Sequence, residues 1–175
     1  MPSLPLSRFR WITLTVVVLA SFQFERPTVA AQESKADPAS MAIYADAANF
    51  QTNGAIGLAI EQWKDFLKKY PQHELAPKAA HYLGVCYMQS DPPQLIDAAR
   101  SFGLALQDQE YELREESLAN RGWCFYAAAM AGDPIDKGLL KESLTSYEQL
   151  LKENPKTRYR DRAYFYSGES AYSLG

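Results

Sequence analysis

The stretch APKAAHYLGVCYMQSDPPQLIDAARSF, residues 76–102, contains two apolar patterns of helical period joined at SDPP. Its first half carries Leu83-Gly84 and Tyr87, and its second half carries Ala98 and Phe102. None of these side chains is a catalytic group. The fold therefore depends on whether the stretch belongs to one enzyme core or to a unit that recurs, because recurrence indicates stacked helical repeats.

The pattern recurs along the chain. Residues 121–125, RGWCF, repeat the order of residues 83–87, LGVCY, and residues 167–171, SGESA, form a looser third copy. The second half recurs as a small residue, a large residue four places later and an apolar residue three places after that. Its copies are Ala59, Trp63 and Phe66; Ala98, Phe102 and Ala105; and Ser143, Tyr147 and Leu150. A fixed pattern with a period of about 40 residues is the signature of an α-solenoid.

Apolar residues at three- and four-residue steps predict seven helices and no strand. The predicted spans are about 41–51, 55–70, 74–89, 93–108, 112–131, 138–153 and 159–174. Ser90 or Asp91 is predicted to cap the fourth helix, with proline in its first turn. We expect Gly84 and Ala98 to mark a close helix crossing, at which leucine in place of Gly84 overpacks and alanine is tolerated.

These residues resemble the tetratricopeptide repeat (TPR). In that family L-G-x-x-Y is followed by A-x-x-x-F and a closing proline. The phrase FLKKYPQHELAPKAAHYLGVCY is similar to repeats of bacterial envelope proteins, including the Tol–Pal coordinator and the outer-membrane-assembly lipoprotein. The resemblance covers roughly residues 41–175, with Ala45 at the glycine position of the first unit. It implies an all-α, TPR-like solenoid of about three and a half repeats, so we expect the natural reading frame to continue past residue 175.

Residues 1–31 have the features of a secretory signal peptide. Arg8 and Arg10 precede the apolar run WITLTVVVLASF, and Val29 and Ala31 occupy the small-residue positions that signal peptidase reads. The run is shorter than the about 20 residues of a membrane-spanning helix. We therefore expect cleavage and a periplasmic protein. An uncleaved anchor, which would tether the domain to the membrane, is the alternative.

The small, polar segment QESKADPAS, residues 32–40, is predicted to link the signal to a repeat domain at residues 41–175. The chain has 18 basic and 21 acidic residues, and residues 1–31 hold three arginines and one glutamate. The remainder is thus more acidic than the whole. This charge disfavours binding to nucleic acid or to anionic lipid surfaces.

The two cysteines are expected to be buried free thiols. Cys86 and Cys124 share a small-residue position with Ala47 and Ser170. Equivalent residues on neighbouring helices lie roughly 8–10 Å apart, whereas a disulfide needs Cα atoms within about 7 Å.

No other motif predicts catalysis, a metal or a cofactor. His73 and His81 are the only histidines, which are too few and too widely spaced for zinc. No Ser–His–Asp order, phosphate loop or paired-acid motif occurs. The basic run KTRYRDR, residues 156–162, is interpreted as a solvated loop, with contact to an acidic partner or a glycan phosphate as the alternative.

The TPR resemblance implies a binding protein, since the first helix of each pair lines a concave surface that holds peptides or partner domains. We expect a protein or peptide partner in the cell envelope. The predicted groove face, taken as opposite the glycine position, carries His81, Val85, Met88, Ala119, Trp123, Tyr126, Phe165 and Glu169. Alternatively, Trp123 and Tyr126 pack beneath the connection AGDPIDKG. An accessory domain of a longer envelope enzyme and a structural spacer are the other functions left open.

Overall fold

The computed structural model describes residues 37–175, which contain seven α-helices and no strand. The predicted signal peptide and residues 32–36 of the predicted linker lie outside the described residues. The helices are α1 (Pro38–Thr52), α2 (Ile56–Lys69), α3 (Ala76–Gln89), α4 (Leu95–Ala105), α5 (Arg114–Met130), α6 (Lys137–Glu153) and α7 (Arg160–Leu174). Each helix packs against the next, and α5 also contacts α7. The predicted all-α array of packed helix pairs is confirmed.

Helix α1 begins at Pro38 rather than at residue 41. The side chain of Asp37 accepts a hydrogen bond from the backbone nitrogen of Ala39 at 3.3 Å. Pro38 fits the first turn, where its missing N–H has no partner to lose. Ser40 is fully buried, with its hydroxyl 3.2 Å from Nε2 of His73. Residues 38–40 therefore belong to the folded domain and not to a linker.

Helix α4 begins at Leu95, and the predicted cap at Ser90 or Asp91 is wrong. Ser90 lies at the C-terminal end of α3 instead, with its hydroxyl 2.9 Å from the carbonyl oxygens of both Tyr87 and Pro92. The cause is the proline pair, because a proline disfavours helical backbone at the residue before it. The connection between α3 and α4 therefore includes both prolines.

The recurring second-half positions form the centre of the fold. All nine are fully buried and lie in equivalent places on α2, α4 and α6: Ala59, Trp63, Phe66, Ala98, Phe102, Ala105, Ser143, Tyr147 and Leu150. Three equivalent positions on each of α2, α4 and α6 therefore face the interior. Helical periodicity in the sequence identified these positions correctly.

Gly84 on α3 and Gly122 on α5 each lie against an aromatic ring of the helix that follows. A methyl group on Gly84 would come within 2.8 Å of the Phe102 ring, and one on Gly122 within 2.7 Å of the Tyr147 ring. The atoms nearest to Gly84 therefore belong to Phe102, and not to Ala98, with which the crossing was predicted. A methyl group at position 84 would require the Phe102 ring or a helix to shift, so the structure changes our expectation for alanine there from tolerated to destabilising.

In the first pair the small interior residue is Ala47. Ala45, which was predicted to take the glycine position, is exposed, whereas Ala47 is fully buried and clusters with Ala59 and Trp63. The connection from α1 to α2 spans only residues 53–55, compared with residues 90–94 in the second pair. Ala47 stands at the position of Cys86 and Cys124, so its burial keeps the register of the other pairs, and the difference in the first pair is that the position of Gly84 is exposed.

Cys86 and Cys124 are buried free thiols, as predicted. Both are fully buried, like Ala47 and Ser170 on the equivalent helices. Burial raises the pKa of Cys86 to about 11 and that of Cys124 to about 12. Neither sulfur is therefore a thiolate near neutral pH, which removes its nucleophilic character.

Arg114, the first residue of α5, joins three elements and was not singled out from the sequence. Its Nε and Nη2 atoms each donate to a carboxylate oxygen of Glu153 on α6 at 2.8 Å. Its Nη1 donates to the carbonyl oxygens of Leu106 at 2.8 Å and Asp108 at 3.0 Å. The forked guanidinium thus holds the end of α4, the start of α5 and the end of α6 in one geometry.

Candidate functional site

A recess of about 480 Å³ opens among helices α3, α5 and α7, the first helices of three successive units. Its lining residues are Met88, Asn120, Trp123, Arg162, Phe165 and Tyr166. Met88, Trp123 and Phe165 are three of the eight predicted groove residues. The fold therefore brings together side chains from three helices that are distant in the sequence.

Arg162 provides the positive charge of this α3/α5/α7 recess. Its Nη1 donates to Oδ1 of Asn120 at 3.2 Å. Within residues 37–175, every other arginine has a carboxylate oxygen within 4.0 Å, and Arg162 has none. A half-buried guanidinium beside apolar walls, with N–H groups not committed to a carboxylate, is suited to binding an anionic group.

Tyr166 forms the rigid side of the recess. Its ring stacks on that of Tyr147, with centroids 5.9 Å apart, and lies 4.8 Å from the ring of Tyr126. Phe165 meets it edge to face at 5.1 Å. Tyr126 is thus held beside the recess by α7, whereas residues 131–136, which connect α5 to α6, are all exposed. Packing of Tyr126 against α7 replaces the alternative that it lies beneath that connection.

Glu169 and Val85 lie at the margins. Glu169 is exposed and close to Tyr126, whose pKa is raised by burial and, to a smaller extent, by this carboxylate. Val85 is partly buried and packs against the cluster that contains Phe102 and Cys124. These two predicted groove residues border the site without lining the recess.

His81 and Ala119 are interior residues, so their assignment to an open groove is wrong. Their exposed fractions are 2% and 0%. The Nδ1 atom of His81 lies 2.9 Å from the hydroxyl of Ser117 on α5, and its ring meets Phe102 edge to face at 5.4 Å. The next helix pair covers these positions.

The predicted groove face was assumed to lie opposite the glycines around the helix axis, and this angle was wrong. At about 100° per residue, the positions three before, one after and four after a glycine lie within about 100° of it, not opposite it. Phe165 stands at the same offset from Gly168 as His81 from Gly84, yet it is 59% exposed. Among the described residues no helix packs beyond α7, so this position is open there and closed on α3.

A second recess, of about 460 Å³, lies between α1 and α3 and was not predicted. It is lined by uncharged side chains: Tyr44, Ala48, Gln51, Thr52, Trp63, Tyr82 and Gln89. The indole nitrogen of Trp63 donates to Oε1 of Gln51 at 3.0 Å, and this hydrogen bond joins two of the side chains that line the recess. The predicted groove residues were taken only from α3, α5 and α7. Including α1, which carries Tyr44 and Gln51, could have predicted this recess.

A third recess, of about 450 Å³, lies at the α2–α3 connection and the end of α4. Its lining includes His73, Glu74 and Asp108, and it contains none of the predicted groove residues. His73 is committed to local bonds, with Nδ1 accepting from the backbone nitrogen of Leu75 at 3.1 Å. Across residues 37–175, no three His, Cys, Asp or Glu side chains are placed to hold a metal ion.

The basic run KTRYRDR is divided by the start of α7. Arg158 pairs with Glu116 at 3.1 Å, Arg160 pairs with Asp161 at 3.7 Å, and Arg162 faces the α3/α5/α7 recess. The interpretation as a solvated loop is therefore wrong for Arg162. Arg160 and Arg162 are two residues apart on the first turn of α7, so their side chains leave the helix in different directions. Arg162 therefore has different neighbours from Arg158 and Arg160.

In residues 37–175 no helix is both long enough and apolar enough to span a bilayer. No known protein-family model matches the chain, and no curated protein matches it in sequence. A functional assignment has therefore to come from the chemistry of the recesses themselves.

Proposed function

We propose that this protein is an exported, non-catalytic scaffold of TPR type that binds a protein or peptide partner in the bacterial cell envelope. The binding surface is the α3/α5/α7 recess. The observation that carries this proposal is the combination of apolar walls from three successive first helices with the guanidinium of Arg162, which lacks a carboxylate partner among the described residues.

The recurrent packing supports the TPR-type assignment. The Gly84–Phe102 contact recurs as Gly122–Tyr147, and the buried positions of the second helices repeat in all three pairs. Equivalent contacts at equivalent places are what a stack of similar units requires, because each unit packs only on its neighbours. Such stacks present extended surfaces that hold partners.

The recess favours a ligand with two chemical features. Met88, Trp123 and Phe165 offer a flexible thioether and two rings, which suit an aromatic or branched aliphatic side chain. Arg162 favours a carboxylate next to that side chain. A segment with an apolar residue beside an aspartate, a glutamate or a chain terminus satisfies both. The signal-like features of residues 1–31 support a periplasmic partner, and the acidity of the chain disfavours nucleic acid.

Selection from a random peptide library tests this proposal. Peptides enriched on the full chain are expected to carry an aromatic or aliphatic residue next to an acidic one, and to change the fluorescence of Trp123. Arg162→Glu should weaken their binding at least about tenfold, the effect of losing one charge-assisted hydrogen bond. Arg100→Glu is the matched control, because it makes the same charge change on the exposed side of α4.

Three results would contradict the proposal. The first is that no peptide is enriched. The second is that Arg100→Glu weakens binding as much as Arg162→Glu, which would indicate a general charge effect. The third is that Trp123→Phe leaves the fluorescence response intact, because the ligand would then lie elsewhere. Trp63, which is fully buried, should not respond to binding at the recess.

A further inference from the structure

The recess between α1 and α3 differs from the other two recesses in its charge. None of the residues that line it is charged, and three of them are aromatic. The α3/α5/α7 recess contains Arg162, and the recess at the α2–α3 connection contains Glu74 and Asp108. A charged ligand group would find no counterion in the α1/α3 recess, so we expect its ligand to be uncharged.

A tyrosine and a glutamine seven residues later stand on each of the two helices. The pairs are Tyr44 and Gln51 in YADAANFQ on α1, and Tyr82 and Gln89 in YLGVCYMQ on α3. All four side chains line the recess. Residues seven apart lie on the same side of a helix and about 10 Å apart along its axis. Neither α5 nor α7 contains a glutamine, so this arrangement is not a general feature of the first helices.

Trp63 holds the two tyrosine rings in fixed positions. The Tyr44 ring meets the Trp63 ring edge to face with centroids 4.8 Å apart, and the Tyr82 ring stacks on it at 5.7 Å. Trp63 is fully buried, whereas both tyrosines are half-buried. The tyrosines therefore present ring surface that is already in place before a ligand arrives, which lowers the cost of binding.

The polar groups of this recess have few partners within residues 37–175. The carbonyl oxygen of Gln51 accepts from Trp63 at 3.0 Å, which leaves the amide nitrogen of Gln51 to donate to a ligand. The side chain of Gln89 and the hydroxyl groups of Tyr44 and Tyr82 have no hydrogen-bond partner in that part of the chain. A purely apolar ligand would remove these groups from water without replacing its hydrogen bonds.

We propose that the α1/α3 recess binds an uncharged oligosaccharide. A sugar ring has C–H groups on its faces and hydroxyl groups around its edge, so it can pack on the tyrosine rings while it bonds to the glutamine amides. The separation of about 10 Å between tyrosine and glutamine along each helix is close to the length of two linked sugar rings. The volume of about 460 Å³ lies within the range of about 300–1,000 Å³ found for small-molecule sites.

An uncharged peptide segment is the competing ligand, and the recess suits it less well. Serine, threonine, asparagine and glutamine form hydrogen bonds but have little apolar surface to cover two rings. Leucine and phenylalanine cover the rings and leave the amides unpaired. Tyrosine does both, but its one hydroxyl group cannot serve polar groups on four side chains. This site is separate from the α3/α5/α7 recess, so the proposal does not depend on peptide binding there.

Nuclear magnetic resonance titration of the full chain tests the proposal. The probes are cellotriose and tri-N-acetylchitotriose, two neutral trisaccharides, added to about 20 mM, since a site with a Kd of about 1 mM is then nearly full. Trp63 bonds to a lining residue, so at least one probe should shift its indole N–H signal. The signal of Trp123 should not move. Trp11→Phe and Trp123→Phe identify the signals, because the chain has three tryptophans.

Two variants remove single polar groups from the recess. Gln89→Met removes an amide at nearly constant length, and Tyr44→Phe removes one hydroxyl group. Each should weaken binding about fivefold, the effect of losing one neutral hydrogen bond. Gln107→Met is the matched control, because Gln107 is an exposed glutamine just after the end of α4. It should leave the affinity unchanged, and so should Arg162→Glu, which separates this site from the proposed peptide site.

The proposal would be overturned if neither trisaccharide shifts the Trp63 signal, or if Gln89→Met or Tyr44→Phe binds as tightly as the wild type. Equal weakening by Gln107→Met or Arg162→Glu would overturn it as well. So would tighter binding of acetyl-Gly-Tyr-Gly-amide than of both trisaccharides, because the ligand would then be a peptide. Thermal melts that match the wild type show that each variant is folded.

Discussion

The ring of Phe102 lies directly against the α-carbon of Gly84, and a methyl group on that carbon would be 2.8 Å from ring atom Cε1. Tyr147 stands in the same relation to Gly122, with 2.7 Å to Cε2. Both rings are fully buried. Each glycine is therefore required by the ring opposite it.

Alanine in place of Gly84 should destabilise the protein by about 1–3 kcal/mol, because the buried ring or a helix must shift to admit the methyl group. Gly57→Ala is the control, since it has open space and should gain up to about 1 kcal/mol of helix propensity. Urea unfolding of both variants measures the difference. A Gly84→Ala protein as stable as Gly57→Ala would show that the ring contact is not a constraint.

Arg114→Lys should lower the free energy of unfolding by about 2–3 kcal/mol. Lysine cannot reproduce the two parallel bonds to Glu153 and also reach the carbonyl oxygens of Leu106 and Asp108. Arg100→Lys alters an exposed pair with Asp97 and should change stability by less than about 0.5 kcal/mol. Equal losses in the two variants, measured by chemical denaturation, would show that Arg114 does not join the helices as described.

Stability should fall as pH drops below about 6.5, the ordinary pKa of histidine. Burial lowers the pKa of His81, with Glu116 opposing this shift and Lys78 adding to it. Between the lowered pKa and the ordinary one, the unfolded chain binds a proton at His81 and the folded chain does not, so acidification favours unfolding. The contribution is complete above the ordinary pKa and is lost through this window.

Unfolding free energies measured from pH 7.5 to 5.5 check this expectation. The wild type should lose at most about 1.4 kcal/mol per pH unit from this one group, and His81→Gln should flatten the slope. Glu115 and Glu153 have pKa values lowered by hydrogen bonds from Thr157 and Arg114 respectively, so their contributions are lost only in more acidic solution. An unchanged slope in His81→Gln would assign the pH dependence to other groups.

Neither cysteine should react with a maleimide in the native protein at pH 7, because Cys86 and Cys124 are fully buried and their pKa values are raised to about 11 and about 12. In denaturant without reductant both should be labelled. Mass spectrometry distinguishes the states. Native labelling would contradict the burial, and an unlabelled denatured chain lighter by two hydrogens would reveal a disulfide.

Local periodicity was enough to predict the seven helices. It also predicted which residues of α2, α4 and α6, the second helices of the pairs, are buried. Trp63, Phe102 and Tyr147 recur at fixed steps, and helical geometry alone turns those steps to one side. The start of α4 was not predicted, because two consecutive prolines extend the connection beyond Ser90. The partner of Gly84 was also missed, since the choice between Ala98 and Phe102 depends on how α4 is placed against α3.

A residue of the site could be predicted only where its exposure depends on its own helix and not on a neighbouring one. Met88, Trp123 and Phe165 were selected by their steps from each glycine, although the face that those steps define lies beside the glycine and not opposite it. His81 fails because its exposure depends on whether the next pair covers it. Arg162 was hidden within a basic run, and its separation from acidic groups becomes visible only when α5 and α7 are placed side by side. Side chains whose role depends on helix placement cannot be ranked from one sequence.

The central claim is that partners bind at the recess formed by first helices, and site-specific photo-crosslinking in living cells tests it most directly. A photoreactive phenylalanine analogue is placed in the full chain at Met88 or Asn120, which line the recess, and at Leu58 or Leu104, which are 56% and 50% exposed on the second helices α2 and α4. Discrete crosslinked species are expected from positions 88 and 120 and should be lost with Arg162→Glu. The account would be contradicted if positions 58 and 104 gave the same crosslinked species in the same yield as positions 88 and 120. It would also be contradicted if positions 88 and 120 gave no crosslinked species.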